Sequence, residues 1–174
     1  SYSAIHSIPS GYTNANIQIG EELTIEDLLY ALMIPSANDA AYVLAEHVAG
    51  SVENFSTMMN DKARELGCKT THFVNPNGIH EDTHYSTAYD MALLSQYAYH
   101  NSTYRKIVQT RKYQTQSSLK SYVWYNRMSL FSQYDFCIGG KNGYTPKAGK
   151  SLVSYASNKN ITLSVISYTS SLKS

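Results

Sequence analysis

The sequence predicts an α+β protein in which a helical block precedes an antiparallel β block. Apolar residues recur at helical spacing in segments between residues 25 and 98, and residues 152–157 show the two-residue period of a strand. The Asn158-Lys159-Asn160 turn leads into a second strand, residues 161–168, that pairs with the first. No repeat or long linker divides the 174 residues. We therefore expect one domain, residues 1–174, with helices packed on an antiparallel sheet.

Helix starts and stops are recognisable in the first hundred residues. Thr24 with Asp27 three residues later is close to a capping box, and Thr87 with Asp90 repeats the arrangement. The expected helices are Thr24 to about Met33, residues 39–49 up to Gly50, Ser51 to Gly67, and one that opens at Thr87.

Several shorter segments have the composition of strands. The expected strands are Thr70–Asn75, Arg111–Thr115, Ser121–Tyr125 and Phe136–Gly140. The Pro76-Asn77-Gly78 turn follows the first of them, and the polar residues 116–120 connect the second and third. After Ser102 we expect the chain to change from helices to strands.

Composition excludes some classes of function. With 43% hydrophobic and 16% charged residues the chain has the composition of a folded globular protein. A formal charge of +1 gives no electrostatic reason to expect nucleic acid as a partner. No run of 18 apolar residues is present that could span a bilayer.

Cysteine and histidine give no clear metal signature. Cys68 and Cys137 lie in no CxxC motif, so we expect free thiols, although the sequence leaves a disulfide open. His80 and His84 have a spacing that could hold a metal on a helix. The turn immediately upstream predicts a loop instead, and we expect no metal site.

The junction Ile34-Pro35-Ser36-Ala37-Asn38-Asp39 separates two predicted helices. Pro35 is expected to push Ile34 out of the α region, and Asn38 or Asp39 is expected to cap the second helix. Ser-x-Asn alone is a weak signal, because an ordinary helix-loop-helix junction would explain it.

A second polar motif, Lys141-Asn142-Gly143, follows the predicted strand 136–140. A lysine beside glycine leaves room for a ligand backbone to pair with the strand edge while the ammonium meets a carboxylate. When the motif is taken alone, a solvated lysine in a hairpin is the favoured explanation.

Together the two motifs resemble those of the penicillin-recognising serine enzymes, which carry Ser-x-x-Lys, Ser-x-Asn and Lys-Thr-Gly. Residues 28–41 closely resemble the second-motif junction of the D-alanyl-D-alanine carboxypeptidases among the low-molecular-mass penicillin-binding proteins. The further segments that resemble this family, in its order, are Asn75-Pro76-Asn77-Gly78-Ile79, His84 to Ala92 and Gly143 to Gly149. The resemblance implies a β-lactamase/transpeptidase-like fold, incomplete at its N-terminus, that forms a single partial penicillin-binding domain.

The resemblance also implies roles for individual residues. Ser36 would pass protons toward the leaving group, and Asn38 would hold the substrate amide. Lys141 would bind the terminal carboxylate and support the Ser36 hydroxyl, with Asn142, Gly143 and Tyr144 completing the substrate-binding strand. No cofactor is implied, and His84 is expected to order its loop.

Two features depart from the family pattern. The Ser-x-x-Lys nucleophile is expected upstream of this chain, since Ser117–Lys120 lies in a polar turn and Ser170–Lys173 at the chain end, and we interpret both matches as chance. Asn142 stands where the family has threonine, and its larger amide donates in a different direction from a hydroxyl.

These features predict a serine-type D-Ala-D-Ala carboxypeptidase that works through an acyl-enzyme, here in a form without its nucleophile and inactive alone. The alternatives are a non-catalytic peptidoglycan-binding relative and, less favoured, a β-lactamase, because no Glu-x-x-Leu-Asn string occurs between the two motifs. The implied partners are D-Ala-D-Ala peptides of peptidoglycan and β-lactams. Self-association or pairing with the absent N-terminal segment is also expected if an apolar face is exposed. The implied location is extracytoplasmic, either secreted or membrane-anchored at the bacterial cell wall.

Overall fold

A helical cluster and two antiparallel sheets make up the structure, a computed structural model that describes residue 5 and residues 8–169. The helices are α1 (Ile25–Met33), α2 (Asn38–Ala49), α3 (Val52–Glu65), α4 (Ala88–His100), α5 (Ser102–Gln109) and the short α6 (Leu130–Gln133). The strands are β1 (Lys112–Gln116), β2 (Ser121–Tyr125), β3 (Cys137–Thr145), β4 (Gly149–Asn158) and β5 (Ile161–Thr169). Within the described residues, no helix is long and apolar enough to cross a membrane.

The predicted α+β class is confirmed. Strands β3, β4 and β5 form a three-stranded antiparallel sheet in that order, and β1 pairs with β2 in a separate hairpin. In the larger sheet Lys141 lies opposite Val153, and a bulge between Cys137 and Gly139 shifts the register of β3. Among the described strands, β3 and β5 are therefore the two edges of this sheet.

Local side-chain chemistry starts and ends the first helices as predicted. Thr24 and Asp27 form a complete capping box on α1, and the Ser51 and Thr87 hydroxyls accept from backbone N–H groups at the starts of α3 and α4. Gly50 ends α2 in the left-handed conformation with φ 77°. These caps satisfy backbone groups that the first and last helical turns would otherwise leave unpaired.

The core lies where α1 and α2 pack against α5 and the β1–β2 hairpin. The rings of Tyr30 and Tyr113 stack with their centroids 3.7 Å apart, and Tyr113 donates to the carboxylate of Asp27 over 2.8 Å. Trp124, only 6% exposed, packs beside Tyr113. Each such buried aromatic side chain contributes about 2 kcal/mol through the removal of apolar surface from water.

Three predictions about elements are wrong. Residues 70–75 form no strand, because they make only one isolated bridge, between His72 and Tyr85. Helix α5 occupies the segment expected to begin the strands; Asn101 caps it, and Tyr104, Ile107 and Val108 have helical spacing, a signal that the prediction overlooked. Strand β3 extends to Thr145 instead of ending near Gly140, because β4 pairs with it along its full length.

The edge strand β5 exposes a row of apolar side chains. Ile161, Leu163 and Val165 are each more than half exposed. The strand contains no charged residue, and charged residues are a common protection of sheet edges against pairing with another chain.

Glycine at 140 is required by the close approach of neighbouring backbone. A Cβ there would lie 2.1 Å from the Val153 carbonyl oxygen, and φ is 148°. At Gly139 a Cβ would lie 2.6 Å from the carbonyl oxygen of Val108 at the end of α5. The two glycines thus let β3 lie between α5 and β4.

We expect Gly140→Ala to destabilise the protein by about 3 kcal/mol, because the backbone of β4 must move to admit the methyl group. Urea unfolding monitored by circular dichroism measures this change. Gly67→Ala is the matched control: Gly67 also has positive φ, but a Cβ there would meet no atom within 4 Å. The control should lose only about 1 kcal/mol from backbone strain, and equal losses in the two variants would contradict the close-approach argument.

Candidate active site

A cleft of about 990 Å³ lies between the helical cluster and strands β3 and β4. Its walls come from residues 10–13, the α1–α2 junction, residues 77–79, α4 and the β3–β4 hairpin. The cleft brings together the predicted residues Ser36, Asn38 and Lys141, which are far apart in the sequence.

Ser36 enters the cleft on a sharp turn between α1 and α2. Its φ is 66°, a left-handed conformation uncommon for a residue other than glycine. The prediction for Pro35 is wrong, because Ile34 stays in the α region at φ −81° and ψ −67°. Ile34 is buried, and its N–H donates to the Tyr30 carbonyl over 2.9 Å, so tertiary packing and the helix bond outweigh the local steric preference. The chain reverses one residue after the proline instead of before it.

The capping prediction at this junction is also wrong. The N-cap position of α2 is Ala37, which offers no side-chain hydrogen bond. Asn38 instead donates from its Nδ2 to the carbonyl oxygen of Thr13 over 2.8 Å, and its backbone N–H reaches the same oxygen over 2.9 Å. Asn38 thereby joins the start of α2 to the residue 10–13 wall of the cleft.

Asp39 makes the second connection to the N-terminal segment. It is 2% exposed, and its two carboxylate oxygens accept the backbone N–H groups of Ala15 and Ile17 over 2.9 and 3.0 Å. A third bond comes from the N–H of Ala40 over 3.0 Å. Backbone dipoles thus compensate the buried negative charge.

Lys141 lies in the middle of β3 and extends its ammonium to the junction. Nζ donates to Ser36 Oγ over 2.8 Å and to the carbonyl oxygen of Asn142 over 2.5 Å. Burial, with a smaller contribution from the nearby Arg127 guanidinium, lowers the pKa of Lys141 to about 8. With a pKa of about 8, the ammonium group can lose its proton close to neutral pH. Its hydrogen bond orients the Ser36 hydroxyl.

The other predicted residues of β3 also line the cleft. Asn142 and Tyr144 are exposed, the latter by 66%, while Gly143 is half-buried. A Cβ on Gly143 would lie 2.7 Å from the hydroxyl oxygen of Ser151 on the facing strand. The glycine at this position thus keeps the strand pair closely packed beside Lys141.

Sequence reasoning missed Arg127, the second cation of the cleft. Its Nη1 donates to Thr13 Oγ1 over 2.6 Å, and the side chain is exposed in the cleft beside Lys141. None of the described residues that line the cleft is acidic. The only signal in the sequence was an arginine between two predicted strands, which no spacing rule distinguishes from an ordinary surface residue.

The Ser117–Lys120 match to Ser-x-x-Lys lies outside the cleft. The buried Ser117 hydroxyl donates to Glu21 over 2.5 Å and closes its own turn, while Nζ of Lys120 donates to the carbonyl of Asn16. Serine and lysine therefore engage different partners, in agreement with a chance match. Ser170–Lys173 lies outside the described residues.

In the described part of the chain, no group of three or more metal-ligating side chains occurs. Nδ1 of His84 accepts the backbone N–H of Val74, as its predicted loop-ordering role requires, and His80 lies beside Asp82. Cys68 and Cys137 are free thiols, the second of them buried.

In the cleft, a lysine whose pKa is lowered to about 8 is hydrogen-bonded to a serine on a strained turn, and an arginine supplies a second positive charge. Comparison with known proteins identifies the family to which such a site belongs. Residues 3–169 match the family model described as D-alanyl-D-alanine carboxypeptidase. The chain belongs to this family, and the resemblance noted in the sequence is confirmed.

Individual relatives agree with this assignment. The chain is 36% identical over 157 residues to the D-alanyl-D-alanine carboxypeptidase DacF of Bacillus subtilis, covering 90% of this chain and 40% of the relative. It is 35% identical over 153 residues to the D-alanyl-D-alanine carboxypeptidase of Streptomyces strain K15, covering 81% of this chain and 53% of the relative. The chain therefore spans about half or less of the length of these two relatives.

Solved structures confirm the transpeptidase-like fold. The crystal structure of the Streptomyces K15 DD-transpeptidase superposes with a TM-score of 0.86 at 33% identity, covering 97% of this chain and 68% of that one. The D-alanyl-D-alanine carboxypeptidase of Mycobacterium tuberculosis gives a TM-score of 0.84 at 28% identity, covering 92% of this chain and 62% of that one.

We expect Asp39→Asn to destabilise the protein by about 2–3 kcal/mol, since one carboxylate oxygen becomes an NH₂ group facing backbone donors that are buried and lose their acceptor. Thermal and urea unfolding measure the loss. Asp61→Asn on the exposed surface of α3 is the control and should change stability by less than about 0.5 kcal/mol. Equal stability of Asp39→Asn and the wild type would show that the carboxylate does not hold the N-terminal segment.

Proposed function

We propose that the cleft binds the C-terminal D-Ala-D-Ala of peptidoglycan stem peptides as part of a serine-type D-Ala-D-Ala carboxypeptidase. The observation that carries the proposal is the contact of 2.8 Å between Lys141 Nζ and Ser36 Oγ in a cleft whose described lining holds two cations and no acid. Family membership agrees with this substrate class.

The terminal carboxylate is assigned to Lys141 and Arg127. Two of the three ammonium hydrogens of Lys141 are directed to Ser36 and to the Asn142 carbonyl, which leaves one for a ligand. Arg127 gives one of its five N–H donors to Thr13, and its planar fork suits a carboxylate. The exposed amide of Asn142 takes the place of the family's threonine hydroxyl and adds a further donor.

The peptide backbone is assigned to the free edge of β3. Among the described strands β3 pairs only with β4, so its other edge has no strand partner and can pair with an extended ligand. An extended D-Ala-D-Ala segment along this edge brings its carboxylate toward the Lys141 end of the cleft, and Asn38 lies across from it on α2.

The proton transfers are assigned to Ser36 and Lys141. The Ser36 hydroxyl accepts from Lys141 and can donate its own proton to the leaving amine, and a lysine pKa of about 8 suits such a relay. None of the described serines that line the cleft has a lysine three residues later. We therefore assign acyl-enzyme formation to a Ser-x-x-Lys segment outside the described lining of the cleft.

Other partners and the location follow from the same proposal. β-Lactams are expected ligands because they present a carboxylate and an amide in the manner of D-Ala-D-Ala. The second candidate function is that of a peptidoglycan-binding module, in which the cleft binds the peptide but has no nucleophile. Both functions place the protein outside the cytoplasmic membrane, where peptidoglycan is found.

A strand partner is proposed for the apolar edge of the sheet. Ile161, Leu163 and Val165 are exposed on β5, which no charged residue protects. A further strand, from a second copy or from another segment of a longer protein, would pair with the backbone of this edge and bring side chains beside the three exposed ones. Light scattering over a range of concentrations tests the first of these sources, and a monomer at every concentration would exclude it.

We expect this chain to bind N-acetyl-D-Ala-D-Ala with an affinity that falls as pH rises through about 8. Lys141 is cationic below its pKa and neutral above it, so the attraction for the carboxylate is lost on the alkaline side. Lys141→Met should weaken binding by about tenfold to a hundredfold and remove this pH dependence. Isothermal titration calorimetry from about pH 6 to pH 9 measures both effects.

The dipeptide amide, which lacks the carboxylate, is the ligand control and should bind weakly at every pH. Lys150→Met, an exposed change on β4, is the protein control and should leave binding unchanged. Equal binding of the acid and the amide would contradict the carboxylate assignment, and no binding by a folded wild-type protein would contradict the proposed function.

A further inference from the structure

Residues 72–85 form a loop whose two ends are joined by hydrogen bonds. The backbones of His72 and Tyr85 exchange hydrogen bonds of 2.8 and 3.0 Å, and the His72 ring donates from Nδ1 to the Thr83 carbonyl over 2.7 Å. These backbone bonds form the isolated bridge found in the segment that was expected to be a strand. The loop is therefore held at its two ends, and contacts among its own residues determine its conformation.

His84 supplies one of these internal contacts. Its Nδ1 accepts the N–H of Val74 over 3.2 Å, and its ring meets the edge of Phe73 with centroids 5.5 Å apart. Only a neutral imidazole with the proton on Nε2 has a lone pair at Nδ1 for this bond. The contact therefore exists in one protonation state of the ring.

Asn75, the residue after Val74, connects this contact to the cleft. Asn75 is 6% exposed; its Oδ1 accepts the N–H of Gly78 and its Nδ2 donates to the Ile79 carbonyl, both over 2.8 Å. The turn that Asn75 closes contains Asn77, Gly78 and Ile79, which form one wall of the cleft. Displacement of Val74 would thus disturb this wall of the cleft.

We propose that His84 is a positioning residue for ligand binding, and that its neutral ring holds the residue 77–79 wall through Val74 and Asn75. This inference rests on the proposed function of the cleft. Protonation of His84 removes the acceptor, leaves the Val74 N–H unpaired and loosens the wall, so the cleft binds its peptide less well in acid.

The charges around His84 favour the neutral ring. Burial lowers the pKa of His84, and His72 and His80 lower it further, whereas Glu81 acts weakly in the opposite direction. Glu81 also acts on Tyr42 of α2: burial raises the pKa of Tyr42, and the negative charges of Glu81 and of Glu53 on α3 raise it further. Asp82 joins His80 and Lys147 at the outer end of the loop. The neutral, holding state is therefore present near neutral pH and is lost on acidification below the ordinary histidine range.

The test compares His84→Phe, which keeps a ring against Phe73 but has no acceptor, with His84→Asn, whose Oδ1 replaces Nδ1. Amide hydrogen exchange followed by NMR gives the protection factor of Val74, and calorimetry gives the affinity for N-acetyl-D-Ala-D-Ala. We expect His84→Phe to lower both by about tenfold at neutral pH, the effect of one lost hydrogen bond, and His84→Asn to keep both. Wild type should lose affinity as the pH falls below the ordinary histidine pKa of about 6.5, and His84→Asn should not.

His47→Asn, an exposed change on α2, is the control for histidine removal and should retain the acid-side loss of affinity. The proposal is overturned if His84→Phe keeps the protection of Val74, or if protection is lost while affinity and its pH profile stay unchanged. A wild type that binds no peptide at any pH would refute the proposed function, and the protection factors alone would then decide whether His84 holds the wall.

Discussion

The buried carboxylate of Asp39 is the interaction on which the cleft depends. It binds the N–H groups of Ala15 and Ile17, while the adjacent Asn38 holds the Thr13 carbonyl. Together these bonds join the N-terminal segment to the first turn of α2. That turn follows directly on the strained Ser36, and Thr13 in turn holds Arg127. A buried anion stabilised only by backbone donors tolerates little movement, which keeps this wall of the cleft rigid.

Two cations are held close together on the other side of this framework. Burial disfavours the charge of Lys141, and repulsion from Arg127 adds a smaller effect, so the pKa of Lys141 falls to about 8. This placement costs stability in the unoccupied cleft and favours an anionic ligand, since a bound carboxylate relieves both effects. Concentration of unfavourable charge at one place is typical of functional sites. The same lysine orients the Ser36 hydroxyl, so in the proposed function one ammonium group would serve both ligand binding and proton transfer.

Local rules predicted the elements whose ends depend on neighbouring residues. The caps Thr24, Ser51 and Thr87 were found because a capping side chain lies within three residues of the group it satisfies. The rules failed where distant groups compete for the same side chain. Asn38 looked like a cap but is engaged by Thr13, 25 residues away. Helix α5 was missed for a different reason, because its local signals, the Asn101 cap and the helical spacing of Tyr104, Ile107 and Val108, were overlooked.

The sequence by itself determined the α+β class, the family and the positions of Ser36, Asn38 and Lys141, since these depend on periodicity and on motifs in a fixed order. Tertiary structure alone decided that Lys141 Nζ lies 2.8 Å from Ser36 Oγ across 105 residues of chain. It also decided that Arg127 enters the cleft and that Nδ1 of His84 accepts the N–H of Val74. Long-range proximity, burial and the pKa shifts that follow from them depend on how the elements pack, and no local pattern records that packing.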